Sequence, residues 1–72
     1  MVLKILADNL RKFRLERGHT QEWMAKQINV DRSTYTKYEM NATDPPLPTC
    51  MELCRVLEII PNDLFGWKSE KT

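Results

Sequence analysis

Between residues 32 and 37 the chain carries Arg32, Ser33, Thr36 and Lys37, four side chains able to recognise a base edge or a phosphate. Arginine offers a planar fork of donors and lysine a compact cation, while serine and threonine hydroxyls both donate and accept. In a major groove these groups read guanine edges, thymine methyls and phosphates. Wrapped on a helix at about 100° per residue, Ser33, Thr36, Lys37 and Met40 face one way, with Arg32 beside them in the first turn. Tyr35, Tyr38 and Glu39 face the other way. The outward set holds no acid and no large aliphatic side chain. A solvated face of any small domain has the same character, so the helix by itself leaves both readings open.

Other chemistries find little to work with. Cys50 and Cys54 are four residues apart and His19 is the single histidine, so a four-ligand zinc site cannot be assembled. The two cysteines share a helical face with Leu47, Leu53 and Leu57, which favours core packing over redox or metal work. No carboxylate pair suited to acid–base catalysis and no glycine-rich phosphate loop are present. The sequence reads as a non-enzyme with no catalytic residue, metal or cofactor, and no small-molecule ligand is evident.

The chain has 72 residues, a formal net charge of +1, 42% hydrophobic residues and 8% aromatic residues. That is enough to fill one small core, which at this length is marginal without tight interlocking or a partner. Residues 1–41 carry a net charge of +3 and residues 42–72 a net charge of −2, so the first half is the one suited to a polyanion. No apolar run approaches the roughly 18 residues of a membrane span, and no signal peptide opens the chain. The expectation is a soluble, cytoplasmic protein: one domain over residues 1–67 and a short polar tail over 68–72.

Periodicity and punctuation divide that domain into five short helices with no β-type alternation, an all-α fold. Leu3, Leu6, Ala7, Leu10, Phe13 and Arg14 fall on one face of a first helix that Gly18 can end. Thr20 offers an N-cap hydroxyl to a second helix bearing Met24, Ala25 and Ile28, closed by Asn29. Asp31 is the expected cap of the third helix, and Asn41 can turn left-handed after it. Leu47, Cys50, Leu53, Cys54 and Leu57 make a fourth stripe, with Pro46 and Pro48 tolerated in or before its first turn. Pro61 starts a last helix carrying Leu64 and Phe65. Ile60 offers that helix no polar cap, so its start is expected to fray. Only Asn29 and Val30 separate Ile28 from Asp31, too few for an antiparallel hairpin, and the second and third helices are expected to cross steeply as a helix-turn-helix.

Two charges sit where charges should not. Arg14 and Glu39 each lie on the inward stripe of their helix, where an unpaired ion would cost several kcal/mol. They are expected to pair, fixing the third helix to the first.

The run Thr20-Gln21-Glu22-Trp23-Met24-Ala25, then Ile28-Asn29-Val30-Asp31, then Tyr35-x-x-Tyr38-Glu39-x-Asn41-x-x-x-Pro45 resembles the lambda-repressor-like family of Cro and phage-repressor type, or XRE family. Leu10-Arg11-x-x-Arg14-x-x-x-Gly18 looks like its first helix, and Leu53-Cys54-x-x-Leu57-x-Ile59-x-Pro61-x-Asp63-Leu64 is similar to its last two. The resemblance implies a compact five-helix DNA-binding domain whose helices 2 and 3 form the helix-turn-helix. It further implies a transcriptional regulator, expected to be a repressor, that binds double-stranded DNA as a homodimer on a palindromic operator. Arg32, Ser33 and Lys37 then match base-reading positions, with Thr36 beside them. Gln21 matches a glutamine that bonds phosphate and braces the reading helix. Thr34 matches a position that touches backbone, and Thr20 joins these as a phosphate contact. Arg14 and Glu39 match the family's internal ion pair.

The rival reading is a protein-interaction module on the same fold, such as an antitoxin or an antagonist of another regulator. The apolar Trp23, Met40 and Trp67 and the small net charge support it. Trp23 falls on the outward side of the second helix, where it could meet a partner or a sugar-phosphate edge, or fold back over a neighbouring side chain. Trp67 could cover the core edge or make a dimer contact. His19 is expected to be a half-buried spacer, and Lys4, Arg11, Lys12 and Arg17 a solvated face.

Overall fold

The structure, a computed structural model, describes residues 4–66. Leu3, Trp67 and the tail 68–72 lie outside the described residues. Five helices follow in order: α1 (Lys4–Glu16), α2 (Gln21–Gln27), α3 (Arg32–Glu39), α4 (Leu47–Leu57) and α5 (Pro61–Phe65). The described residues form the expected all-α, five-helix domain. α2 packs on α3, and both α3 and α5 pack on α1, while α4 meets α5.

The apolar stripes converge as their spacing requires. Leu6 and Leu10 of α1 meet Met24 and Ala25 of α2, Tyr35 and Tyr38 of α3, Cys50, Leu53, Cys54 and Leu57 of α4, and Leu64 of α5. Ile28 and Val30 flank the connection from α2 to α3 and pack, half-buried, against this cluster. Both cysteines are free thiols inside it. Leu47 departs from its stripe: at the first position of α4 it is 66% exposed. The packed region ends there at Pro45, which is buried while the first turn of α4 runs past it.

Helix endings explain how so short a chain turns so often. α1 closes with the Gly18 N–H on the Leu15 carbonyl and the His19 N–H on the Arg14 carbonyl. The same double bond pattern, with a left-handed residue at its centre, closes α2 around Asn29, α3 around Asn41 and α4 around Glu58. Three of those turning residues are legible in sequence. Glu58, at φ +59°, is not, because glutamate rarely enters the left-handed region. Its conformation is forced from downstream, since Pro61 holds Ile60 extended and α4 cannot run on.

Two expectations about helix starts need correction. Asp31 occupies the N-cap position of α3 in extended geometry, but its side chain makes no capping bond. The start of α5 is better held than Ile60 suggests. The Asp63 carboxylate accepts the Ile60 N–H at 3.4 Å. At the other end the Asn9 amide donates to the carbonyls of Asp63 and Leu64 at 3.2 and 3.1 Å. Arg17, expected on a solvated face, instead donates to the Leu57 carbonyl at 2.7 Å and so caps the end of α4.

Two opposite substitutions test this account of the turns. Glu58→Gly removes left-handed strain and is expected to raise the unfolding free energy by about 0.5–1 kcal/mol in urea titrations. Gly66→Ala should lower it by more than about 1 kcal/mol. Gly66 sits at φ +71°, and a Cβ there would stand 2.5 Å from Cγ2 of Ile5.

Candidate nucleic-acid interface

The site begins with a carboxylate that has no spare lone pair. Arg14 on α1 donates from Nε to Oε2 of Glu39 at 2.5 Å and from Nη2 to Oε1 at 3.1 Å. Tyr35, one turn earlier on α3, donates its hydroxyl to Oε2 at 2.5 Å. Gln21, opening α2, donates from Nε2 to Oε1 at 3.1 Å. Each oxygen thus accepts two bonds, the full capacity of an ionised carboxylate. Arg14 also donates from Nη1 to the His19 carbonyl at 3.0 Å, tying in the turn after α1.

Both partners of the ion pair are nearly buried, their side chains 10% and 2% exposed. Burial works against the charge on Glu39, but the bonds from Arg14, Tyr35 and Gln21 outweigh it and hold the carboxyl below its ordinary pKa. Arg14 is pushed up by its bond to Glu39 against the cost of burial. Tyr35 is pushed well above the ordinary phenol range, first by burial and then by its bond to the carboxylate. The expected Arg14–Glu39 pair is therefore present, and it is the centre of a four-residue cluster joining α1, α2 and α3.

From that cluster one bond leads outward. The Oε1 of Gln21 accepts the hydroxyl of Thr36 at 3.2 Å. Thr36 shares a shallow open depression of about 440 Å³ with Arg32, Ser33 and Lys37. A second open depression, of about 600 Å³, joins Arg32 to Thr20, Gln21 and Glu22 across the turn between α1 and α2. Arg32 lies in both, so the outward edge of α3 and the start of α2 form one continuous surface. Arg32, Ser33 and Lys37 are exposed on it, and Thr36 is half-buried.

The remaining sequence-derived positions fall around this surface. Thr20 caps α2 by accepting the Trp23 N–H at 3.0 Å, which leaves its hydroxyl proton to donate elsewhere. Thr34 is half-buried and lines neither depression. Gln21 ties α2 to α3 through its bonds to Glu39 and Thr36. Glu22, exposed beside Thr20, is an acidic neighbour that helix periodicity did not flag. Trp23 is 37% exposed and stacks on His19 with ring centroids 3.8 Å apart. Of the roles open to it, folding back over a neighbour is the one observed, and His19 is half-buried beneath it. Spacing of four along the chain could have suggested that pair. No group of three or more potential metal ligands occurs among the described residues. No helix among them is long and apolar enough to cross a membrane.

Residues 10–64 match the model of a helix-turn-helix family. An uncharacterised helix-turn-helix-type transcriptional regulator of Archaeoglobus fulgidus is 34% identical over 66 residues, covering 92% of this chain and 94% of the relative. The uncharacterised regulator YqaE of Bacillus subtilis is 29% identical over 67 residues, covering 93% of this chain. The chain spans only 58% of YqaE. The restriction-modification controller protein C.AhdI from Aeromonas hydrophila superposes with a TM-score of 0.80 at 29% identity, covering 86% of this chain and 94% of that one.

The buried cluster predicts how stability responds to substitution and to acid. Arg14→Ala leaves a buried carboxylate with Tyr35 and Gln21 alone and should cost about 3 kcal/mol in urea titrations, the lower end of the range for such losses. Because Glu39 is held below the ordinary glutamate pKa of about 4.3, its contribution is complete above that value. It is lost as pH falls through the lower, folded-state value. Glu39→Gln should therefore be less stable at neutral pH and show a flatter decline when unfolding is measured between neutral and acid pH.

Proposed function

This chain belongs to the helix-turn-helix family, and on that premise we propose that it regulates transcription by laying α3 in the major groove of a specific duplex. Its relatives are transcriptional regulators rather than enzymes. One observation carries the reading. The polar edge of α3 is exposed and continuous with Thr20 and Gln21, while its opposite edge is locked to α1 through Arg14 and Glu39. A reading helix needs both properties, since a misaimed donor loses its base contact.

The roles follow from what each side chain offers. Arg32, Ser33, Thr36 and Lys37 face base edges. Thr20 donates its remaining hydroxyl proton to a phosphate, and Gln21 donates the second proton of its amide, the first being committed to Glu39. Thr34 stands at the margin as a further backbone contact. Three or four such contacts read too few base pairs to single out one site in a genome. A homodimer on a palindromic operator, with half-sites about 34 Å apart, doubles the message. Repression is the simplest output, because a protein filling the groove excludes others from the same base pairs. On this reading the protein works wherever the chromosome is open to the cytoplasm, and we assign it to that compartment.

A second reading has its own support. Met40, Leu47 and Met51 are exposed apolar side chains near the junction of α3 and α4. They suit a module that binds another protein, such as an antitoxin or an antagonist of a second regulator.

Salt separates the two. Retention on duplex DNA that falls steeply between low and physiological salt is expected of the regulator. No retention on DNA, with a salt-insensitive protein partner, would overturn it. Within the DNA reading, Arg32→Ala should cost about 1–3 kcal/mol on a selected duplex and relax preference at one base pair. Titrations at fixed salt against that duplex and its single-base variants measure both effects.

A further inference from the structure

We infer that Thr36 offers DNA an acceptor and no donor, and so selects an amino base, adenine or cytosine, over a keto base at the base pair it faces. This rests on the DNA-binding reading above and adds a direction of hydrogen bonding to one of its contacts.

A threonine hydroxyl ordinarily cannot discriminate in this way. It rotates freely, donates or accepts as its neighbour requires, and therefore meets either kind of base edge. In this fold the choice is removed by a relay that starts in the core. Glu39 is ionised against Arg14 and can only accept. Its lone pairs are filled by Arg14 twice, by Tyr35 and by Gln21. The side-chain amide of Gln21 must then turn its nitrogen towards Glu39, because its oxygen there would face a carboxylate oxygen with no proton between them. With nitrogen inward, the oxygen of Gln21 faces Thr36. Two oxygens share that contact and one proton is available to it, so the Thr36 hydroxyl must donate inward. What remains on its outer side is lone-pair density and a methyl group.

The outer side is the one that matters, since Thr36 lines the same depression as Arg32, Ser33 and Lys37. In the major groove adenine N6 and cytosine N4 present donors, whereas guanine O6 and thymine O4 present acceptors. A base pair carries one amino and one keto base, so an acceptor at this position reads which strand holds the amino group. Ser33, on the same edge, is exposed and is not part of this relay among the described residues.

The experiment is selection of binding sites from a pool of randomised duplexes, followed by sequencing, for the unaltered chain and three variants. The unaltered chain should show a position restricted to adenine or cytosine on one strand. Thr36→Val, which keeps the shape and deletes the hydroxyl, should lose that restriction and keep the rest of the site. Thr36→Ser should retain it. Gln21→Ala should weaken binding to every duplex and, by freeing the hydroxyl proton, admit guanine or thymine at that position. A companion measurement needs no variant: removing the exocyclic amino group from the selected base should weaken binding by the unaltered chain about three- to tenfold, the value of one neutral hydrogen bond. Circular dichroism confirms that each variant is folded. An unchanged site for folded Thr36→Val overturns the inference while leaving the DNA-binding reading intact. So does indifference of the unaltered chain to loss of the amino group at every selected adenine and cytosine. Failure of the unaltered chain to enrich any sequence overturns the DNA-binding reading, and this inference falls with it.

Discussion

Everything in this domain is organised around the need to keep one buried carboxylate charged. Glu39 sits on the inner face of α3, where an ion is costly unless its bonding capacity is met. Meeting it draws in Arg14 from α1, Tyr35 from α3 itself and Gln21 from α2, so three helices are positioned by one group. A buried ion pair is weak evidence for net stability, because desolvation offsets much of the attraction. Its value here is directional. Apolar contacts would tolerate α3 sliding or rotating by a few degrees, and a carboxylate with four donors would not.

That directionality suits a chain with little core to spare. The buried apolar residues come from all five helices, and each helix contributes between one and four of them. Polar closures do the rest at the surface. Arg17 reaches the last carbonyl of α4, Asn9 reaches the last turn of α5, and left-handed turns close four helices with paired backbone bonds. These bonds fix the loops at the lengths that short helices require, and the fold consequently has few long, pliable connections.

Helix positions and the ion pair were legible in the sequence because each rests on a local rule. Apolar spacing gave the five faces, and Gly18, Asn29 and Asn41 marked turns through their tolerance of left-handed backbone. Arg14 and Glu39 stood out as charges on apolar stripes. Much of what escaped depends on tertiary proximity that no spacing encodes. Arg17 and Leu57 are 40 residues apart, and Asn9 and Leu64 are 55 apart. Glu58 turns left-handed because of a proline three residues on, and Leu47 is exposed because its helix outruns the core. The polar edge of α3 was visible from the sequence, but its connection to Glu39 through Gln21 was not.

That connection divides the outer edge of α3 into two kinds of letter. Arg32, Ser33 and Lys37 project from the helix into open surface, so on the DNA-binding reading proposed above exchanging them rewrites a message without disturbing the page. Thr36 is wired through Gln21 into the heart of the molecule. If α3 reads DNA as proposed, descendants of such a chain can drift towards new targets at three positions, whereas a lineage that changed the fourth would have to rebuild part of the interior along with it.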